Sequence, residues 1–276
     1  MVKIISDSST MYSSKEGEEL GIKILPLSVI IDQKMYHELD ELNSEQFVQK
    51  IQEGFMPSTS QPPIGMKEEA YRSSTEEVLD LTMADGLSGT YHSALMAKDM
   101  VENNEHIHVL NTKTLCGPHR YIVNKALEFA KKGHTVKEII EHIQPSIDNG
   151  SSFLIPRDFQ YLKRGGRLSP VAATLGGLVK IVPILEISKD GTSLEKFGIK
   201  KTFKKAMLDI IETMKERHVD ENYEIFVSHA LNPEWRDIAL RLLKEHFHDR
   251  IHLYTLSPAF ITQGGPGCIA IQYCKK

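Results

Sequence analysis

The 276-residue sequence predicts an α/β protein: a mostly parallel, Rossmann-like sheet with helices in the first half, followed by an α+β second half. Two observations carry this reading. Short β-branched runs alternate with helical patterns through the first 150 positions, as in βαβ units. The second half instead holds a hairpin, with Lys189-Asp190-Gly191-Thr192 as the turn, so its sheet is mixed.

In chain order, extended runs fall at residues 2–6, 22–31, 78–83 and 106–111, with helical periodicity at 43–54, 62–73, 88–102 and 118–132. Gly133-His134-Thr135 ends the last of these helices. Thr135-Val136-Lys137-Glu138 then opens another as a capping box, because a carboxylate three residues after a threonine can reach the cap amide. The turn Asp148-Asn149-Gly150 marks the boundary between domains of residues 1–150 and 151–276. Beyond it come a strand at 152–155, a helix bearing Tyr161-Leu162-Lys163-Arg164-Gly165-Gly166-Arg167, and an apolar stretch at 171–179. The hairpin strands fall at 182–187 and 194–199. Helices at 203–217 and 233–247 and strands at 223–228, 251–256 and 268–273 complete the chain.

Composition narrows the function. The net charge is −4 and the basic residues are dispersed, apart from a modest group at Lys196, Lys200, Lys201, Lys204 and Lys205, so neither a nucleic acid nor a membrane surface is expected as partner. No apolar run approaches the ~20 residues needed to span a bilayer. The N-terminus turns polar at Ser6-Asp7, too soon for a signal peptide, and a cytoplasmic protein is expected. Cys116, Cys268 and Cys274 are odd in number without CxxC spacing, which predicts reduced thiols, no metal site and no cofactor.

Open parallel sheets bind ligands beyond the carboxyl ends of their strands, and two polar loops stand out as candidates, one of them following the strand at 78–83. Thr59-Ser60-Gln61-Pro62-Pro63 is a hydroxyl pair ahead of prolines that suit a first helical turn. Leu87-Ser88-Gly89-Thr90-Tyr91 opens another helix. Helix starts offer unpaired N–H groups and a partial positive charge to an anion, and the hydroxyls of Thr59 and Ser88 could complete a carboxylate cage. The same hydroxyls also suit ordinary N-caps. A serine-dependent acyl hydrolase is a weaker reading: a nucleophile elbow needs glycine two residues to either side of the serine, and Gly86 meets this while Thr90 does not. His92 and His229 are its candidate bases. A third loop, Thr262-Gln263-Gly264-Gly265-Pro266-Gly267, demands unusual backbone angles or a close approach.

Together these stretches resemble the DegV family over nearly the whole chain. Ile4-Ile5-Ser6-Asp7-Ser8-Ser9 is similar to its opening strand and Asp-Ser turn, Thr59-Ser60-Gln61-Pro62 to its TSQP motif, and Leu87–Tyr91 with Ser93-Ala94 to LSGTYxSA. Residues 161–167 resemble YLxxGGR, and Gly265-Pro266-Gly267 the terminal GPG. The resemblance implies a two-lobed, non-catalytic protein that carries one long-chain fatty acid. Its carboxylate would rest on Thr59 and Ser88, and Ser60, Gly89, Thr90, Arg167, Lys201 and Gln263 are further head-group candidates. The acyl tunnel is sought among residues 171–179, 181–185, Phe260-Ile261, Leu87 and Ile30.

Some members resemble one another as lipid-presenting subunits of an ATP-dependent fatty acid kinase, so such a kinase is the alternative partner. Those members carry an arginine in the later basic hairpin and a histidine before GPG. Here the positions fall on Lys200 or Lys201 and on Gln263. Lysine lacks the bidentate fork that suits a phosphate, and glutamine carries no charge. Both departures weaken phosphate handling and leave the carboxylate site untouched.

Overall fold

A computed structural model describes residues 1–175, 181–248 and 250–276, with the Leu175 side chain left aside. In the first half, β1 (Lys3–Asp7) leads through α1 (Ser14–Leu20) to β2 (Ile22–Leu25). An antiparallel trio follows: β3 (Ser28–Ile31), β4 (Lys34–His37) and, after α2 (Ser44–Gln52), β5 (Ser58–Ser60). Then come α3 (Ile64–Arg72), β6 (Val78–Thr82), α4 (Thr90–Asp99), β7 (Ile107–Asn111), α5 (Cys116–Lys131) and α6 (Val136–Asp148).

The main sheet of this half is parallel throughout, in the order β2-β1-β6-β7. Its strands are apolar on both faces because both are covered. Ile4, Ile22 and Leu79 pack on one side with Ile122, Val123 and Ile139 from α5 and α6. Ile5, Leu25 and Val78 pack on the other with Ala70, Tyr71 and Ala97 from α3 and α4. The expected capping box is present, with Thr135 Oγ1 accepting from the Glu138 amide and Glu138 accepting from the Thr135 amide.

The second half contains β8 (Gly150–Ile155), α7 (Phe159–Arg164), β9 (Val182–Ile187), β10 (Leu194–Lys200), α8 (Phe203–Glu216), β11 (Tyr223–His229), α9 (Pro233–Phe247), β12 (Ile251–Thr255), α10 (Pro258–Gly264) and β13 (Ile269–Lys275). Its sheet runs β10-β9-β8-β13-β11-β12 and is antiparallel except for β11 with β12. Helices α8 and α9 cover one face. The other face receives α5, which also packs on β1 of the first sheet. Gly117 allows this approach: a Cβ there would lie 2.5 Å from the Phe226 side chain.

Three expectations are corrected. Residues 22–31 are two strands in two sheets, because Pro26 lacks the amide that would continue the ladder. Residues 34–37 and 58–60 are strands where no strand was expected. The β3–β4 turn uses Asp32 and Gln33, both at positive φ, instead of the Asn-Gly or Asp-Gly pair that announces a hairpin. Residues 58–63 do not begin a helix. The helix starts at Ile64, since the Pro62-Pro63 pair holds the preceding residues extended. Within the apolar stretch at 171–179, Val171 is exposed, Ala172 is buried, and 176–179 lie outside the described residues.

Candidate ligand-binding site

The four sequence motifs converge where the first half meets α7 and α10. Thr59 lies in the middle of β5 opposite Val29, so the expected pair of helix starts is corrected to one strand and one helix start. Its hydroxyl oxygen accepts from Gln263 Nε2 at 2.9 Å. Ser88 has extended backbone two residues before α4, and its Oγ lies 2.8 Å from Thr90 Oγ1. Gly89 takes the cap position, and a Cβ there would stand 3.2 Å from Gln61 Oε1, so TSQP packs against SGTY.

The other two motifs meet in the same way. A Cβ on Gly165 would sit 2.5 Å from Gln263 Oε1, and one on Gly265 would sit 2.9 Å from the Tyr161 ring. Gly265 also has φ +85, a second reason for glycine there. Arg167 turns back across the site, with Nη1 donating to the Gly165 carbonyl at 2.5 Å and Nε to the Leu87 carbonyl at 3.3 Å.

These contacts enclose a small pocket with Thr59, Ser60, Gln61, Ser88, Gly89, Arg167 and Gln263 as its polar wall. Behind it lies an apolar cavity that includes Leu115, Cys116, Phe153, Leu194, Leu256 and Ala270. Met83, Leu87, Arg167, Phe260 and Gln263 line both spaces. A polar pocket therefore lies directly against an apolar cavity, with these five residues common to both walls.

Of the expected tunnel residues, Leu87 and Phe260 line this space, while Ile261, Ile184 and Leu185 belong to buried core clusters. Thr90 is fully buried and meets the pocket through Ser88. Lys201 is exposed just past β10 and lines none of these spaces, and Lys200 pairs with Asp209 at 2.7 Å. His92 Nδ1 faces Asp85 at 2.7 Å rather than Ser88, and His229 sits at the end of β11. Among the described residues, no group of three or more His, Cys, Asp or Glu side chains could hold a metal, and no helix is long and apolar enough to cross a membrane.

One buried carboxylate supports the site from behind. Glu38, fully buried, accepts from Ser8 Oγ at 2.5 Å and from the Ala259 amide at 2.7 Å, tying the Asp-Ser turn to the start of α10. Burial pushes its carboxyl up to about 7, against the pull of these hydrogen bonds. Beside it, buried His119 meets Ser9 Oγ at 2.5 Å, and burial lowers its pKa. Nothing in the sequence separates Glu38 from a surface carboxylate.

The DegV family profile matches residues 1–276, and a DegV domain-containing protein of Halalkalibacterium halodurans is 30% identical over 281 residues, covering 99% of this chain and 98% of that protein. The chain belongs to the DegV family. Among solved structures, DegV from Bacillus subtilis, a fatty acid binding protein, is 28% identical with a TM-score of 0.86 over 100% of this chain and 99% of that one. The fatty acid binding DegV family protein SAG1342 of Streptococcus agalactiae is 25% identical with a TM-score of 0.88, at the same coverage. The mixed α/β architecture described above is thus the DegV fold.

Proposed function

We propose that this DegV protein is a non-catalytic, cytoplasmic carrier of one long-chain fatty acid, its two halves forming two lobes around the ligand. The observation that carries the reading is the adjacency of the hydroxyl-lined pocket and the apolar cavity, which share Met83, Leu87, Arg167, Phe260 and Gln263 as lining. The fatty acid binding relatives from B. subtilis and S. agalactiae support it.

The carboxylate rests on Thr59 and Ser88. Gln263 donates to Thr59 Oγ1, which leaves the threonine proton free to be given to the ligand. Thr90 can likewise donate to Ser88 and free the serine proton. Arg167 adds a formal positive charge to the pocket. Hydrogen bonds to a charged group contribute about 1.5–3 kcal/mol each, whereas the tail contributes about 0.8 kcal/mol per methylene buried. Tail burial therefore supplies most of the affinity, and the head group selects an acid over an ester or alcohol.

Mass spectrometry of the purified, denatured protein tests this directly. About one long acyl chain per molecule is expected. Recovery of no lipid, even after fatty acid is supplied, would overturn the reading.

A second reading, presentation of the lipid to an ATP-dependent fatty acid kinase, is favoured by Arg167 in the head-group pocket. Lys201 and Gln263, in place of an arginine and a histidine, weigh against it. Acyl phosphate formation with ATP and a cognate kinase would support this reading, and its absence beside an active relative would remove it.

A further inference from the structure

The apolar cavity carries a polar pair in its inner wall. Along β13 the side chains alternate. Ile269, Ile271 and Tyr273 enter the core under α8 and α9, while Cys268, Ala270 and Gln272 line the cavity. Ser152 stands opposite Gln272 in the β8–β13 register and lines the cavity too.

The Gln272 amide nitrogen donates to the Leu115 carbonyl at 3.0 Å and to Ser152 Oγ at 2.8 Å. A carbonyl only accepts, so the orientation of the amide is fixed. Among the described residues its Oε1 has no partner, although the residue is buried, 1% exposed. Ser152 Oγ, accepting from the amide, keeps its own proton to give. The cavity wall thus offers one acceptor and one donor side by side, the complement of a hydroxyl group.

We propose that the preferred ligand is a long-chain fatty acid bearing a mid-chain hydroxyl, recognised by Gln272 and Ser152. This rests on the fatty-acid reading above and names the class of acid. In this reading the head-group end lies towards Cys268, whose Sγ would lie 2.6 Å from a Cβ on Gly264, the residue after Gln263. Gln272 is four residues further along β13, or roughly 13 Å at the rise of a strand. An extended alkyl chain covers that span in on the order of ten carbons, given bonds of ~1.5 Å. A plain hydrocarbon tail would cover Gln272 Oε1 and leave it unsatisfied, whereas a hydroxyl at that depth pairs with it.

Titration calorimetry of delipidated protein with stearic acid and its 2-, 10- and 12-hydroxy derivatives tests the assignment. At least one mid-chain hydroxy acid is expected to bind about fivefold or more tighter than stearic acid, with no gain for the 2-hydroxy acid. Gln272→Leu combined with Ser152→Ala should abolish the gain, so that the mid-chain hydroxy acids bind no tighter than stearic acid to the variant. Stearic acid binding as tightly as both mid-chain hydroxy acids to the unaltered protein overturns this inference and leaves the carrier reading standing. Binding of none of the four acids overturns both.

Discussion

Gln263 Nε2 donates to Thr59 Oγ1 at 2.9 Å, linking two motifs 204 positions apart in the chain. The bond sets which proton Thr59 can offer, and both residues line the same small polar pocket.

Replacing Thr59 and Ser88 together with alanine should remove both hydroxyl donors. Fatty-acid affinity is expected to fall by about a hundredfold or more, from two bonds of about 1.5–3 kcal/mol each. Thr59 and Ser88 are partly exposed, so the melting temperature should stay within a few degrees. Calorimetric titration and a thermal melt on the same sample separate the two effects, and unchanged affinity would remove the proposed carboxylate site.

Gly165→Ala is expected to act on the ligand more than on the fold. Gly165 has helical angles that suit alanine, but its Cβ would lie 2.5 Å from Gln263 Oε1. Gln263 must swing away and release Thr59. Affinity for the acid should drop about two- to tenfold, the worth of one ordinary hydrogen bond, with stability nearly unchanged. An unaltered dissociation constant would show that the Gln263–Thr59 bond does not serve binding.

Ala270→Phe should shorten the cavity. Ala270 lies on the cavity-facing side of β13, so a ring there occupies space otherwise open to the tail. At about 0.8 kcal/mol per methylene, each carbon excluded weakens a long acid about fourfold. A series of saturated acids should shift its optimum to shorter chains, with short acids hardly affected. Equal weakening at every length would mean that the ring disturbs the fold rather than the cavity.

Glu38 should leave a signature in the pH dependence of stability. Its folded value of about 7 lies above the ordinary 4.5, so the folded state holds a proton that the unfolded chain has lost. The stabilisation is complete below about pH 4.5 and is lost as pH rises through 7, roughly 3 kcal/mol in all. His119 works in the opposite sense: burial lowers its pKa, so it costs stability as pH falls below the ordinary 6.5. Glu38→Gln removes only the first of these two effects. Relative to the unaltered protein, the variant should gain stability at pH 8 compared with pH 5 in urea titrations. A difference that does not change with pH would place the Glu38 titration elsewhere.

What could be read from the sequence was local. The β-branched runs and helical periods gave the parallel sheet, and Thr135 with Glu138 gave a capping box that forms as expected. Ser88 stands at a helix start as its loop implied. Thr59 does not, because its two following prolines fit a first helical turn and an extended lead-in equally well, and pairing with β3 decides between them. Glu38 and Gln272 gave no signal. A buried carboxylate and a cavity-facing amide are set by what other segments bring to them, namely Ser8 and Ala259 for one, Leu115 and Ser152 for the other.

Helix α5 lies between the two sheets, touching β1 on one side and β11 and β13 on the other. Severing the chain near residue 150 would strip one apolar flank from each fragment. The halves defined by the turn at 148–150 are therefore expected to depend on each other for folding, and a denaturant titration should pass through a single cooperative transition.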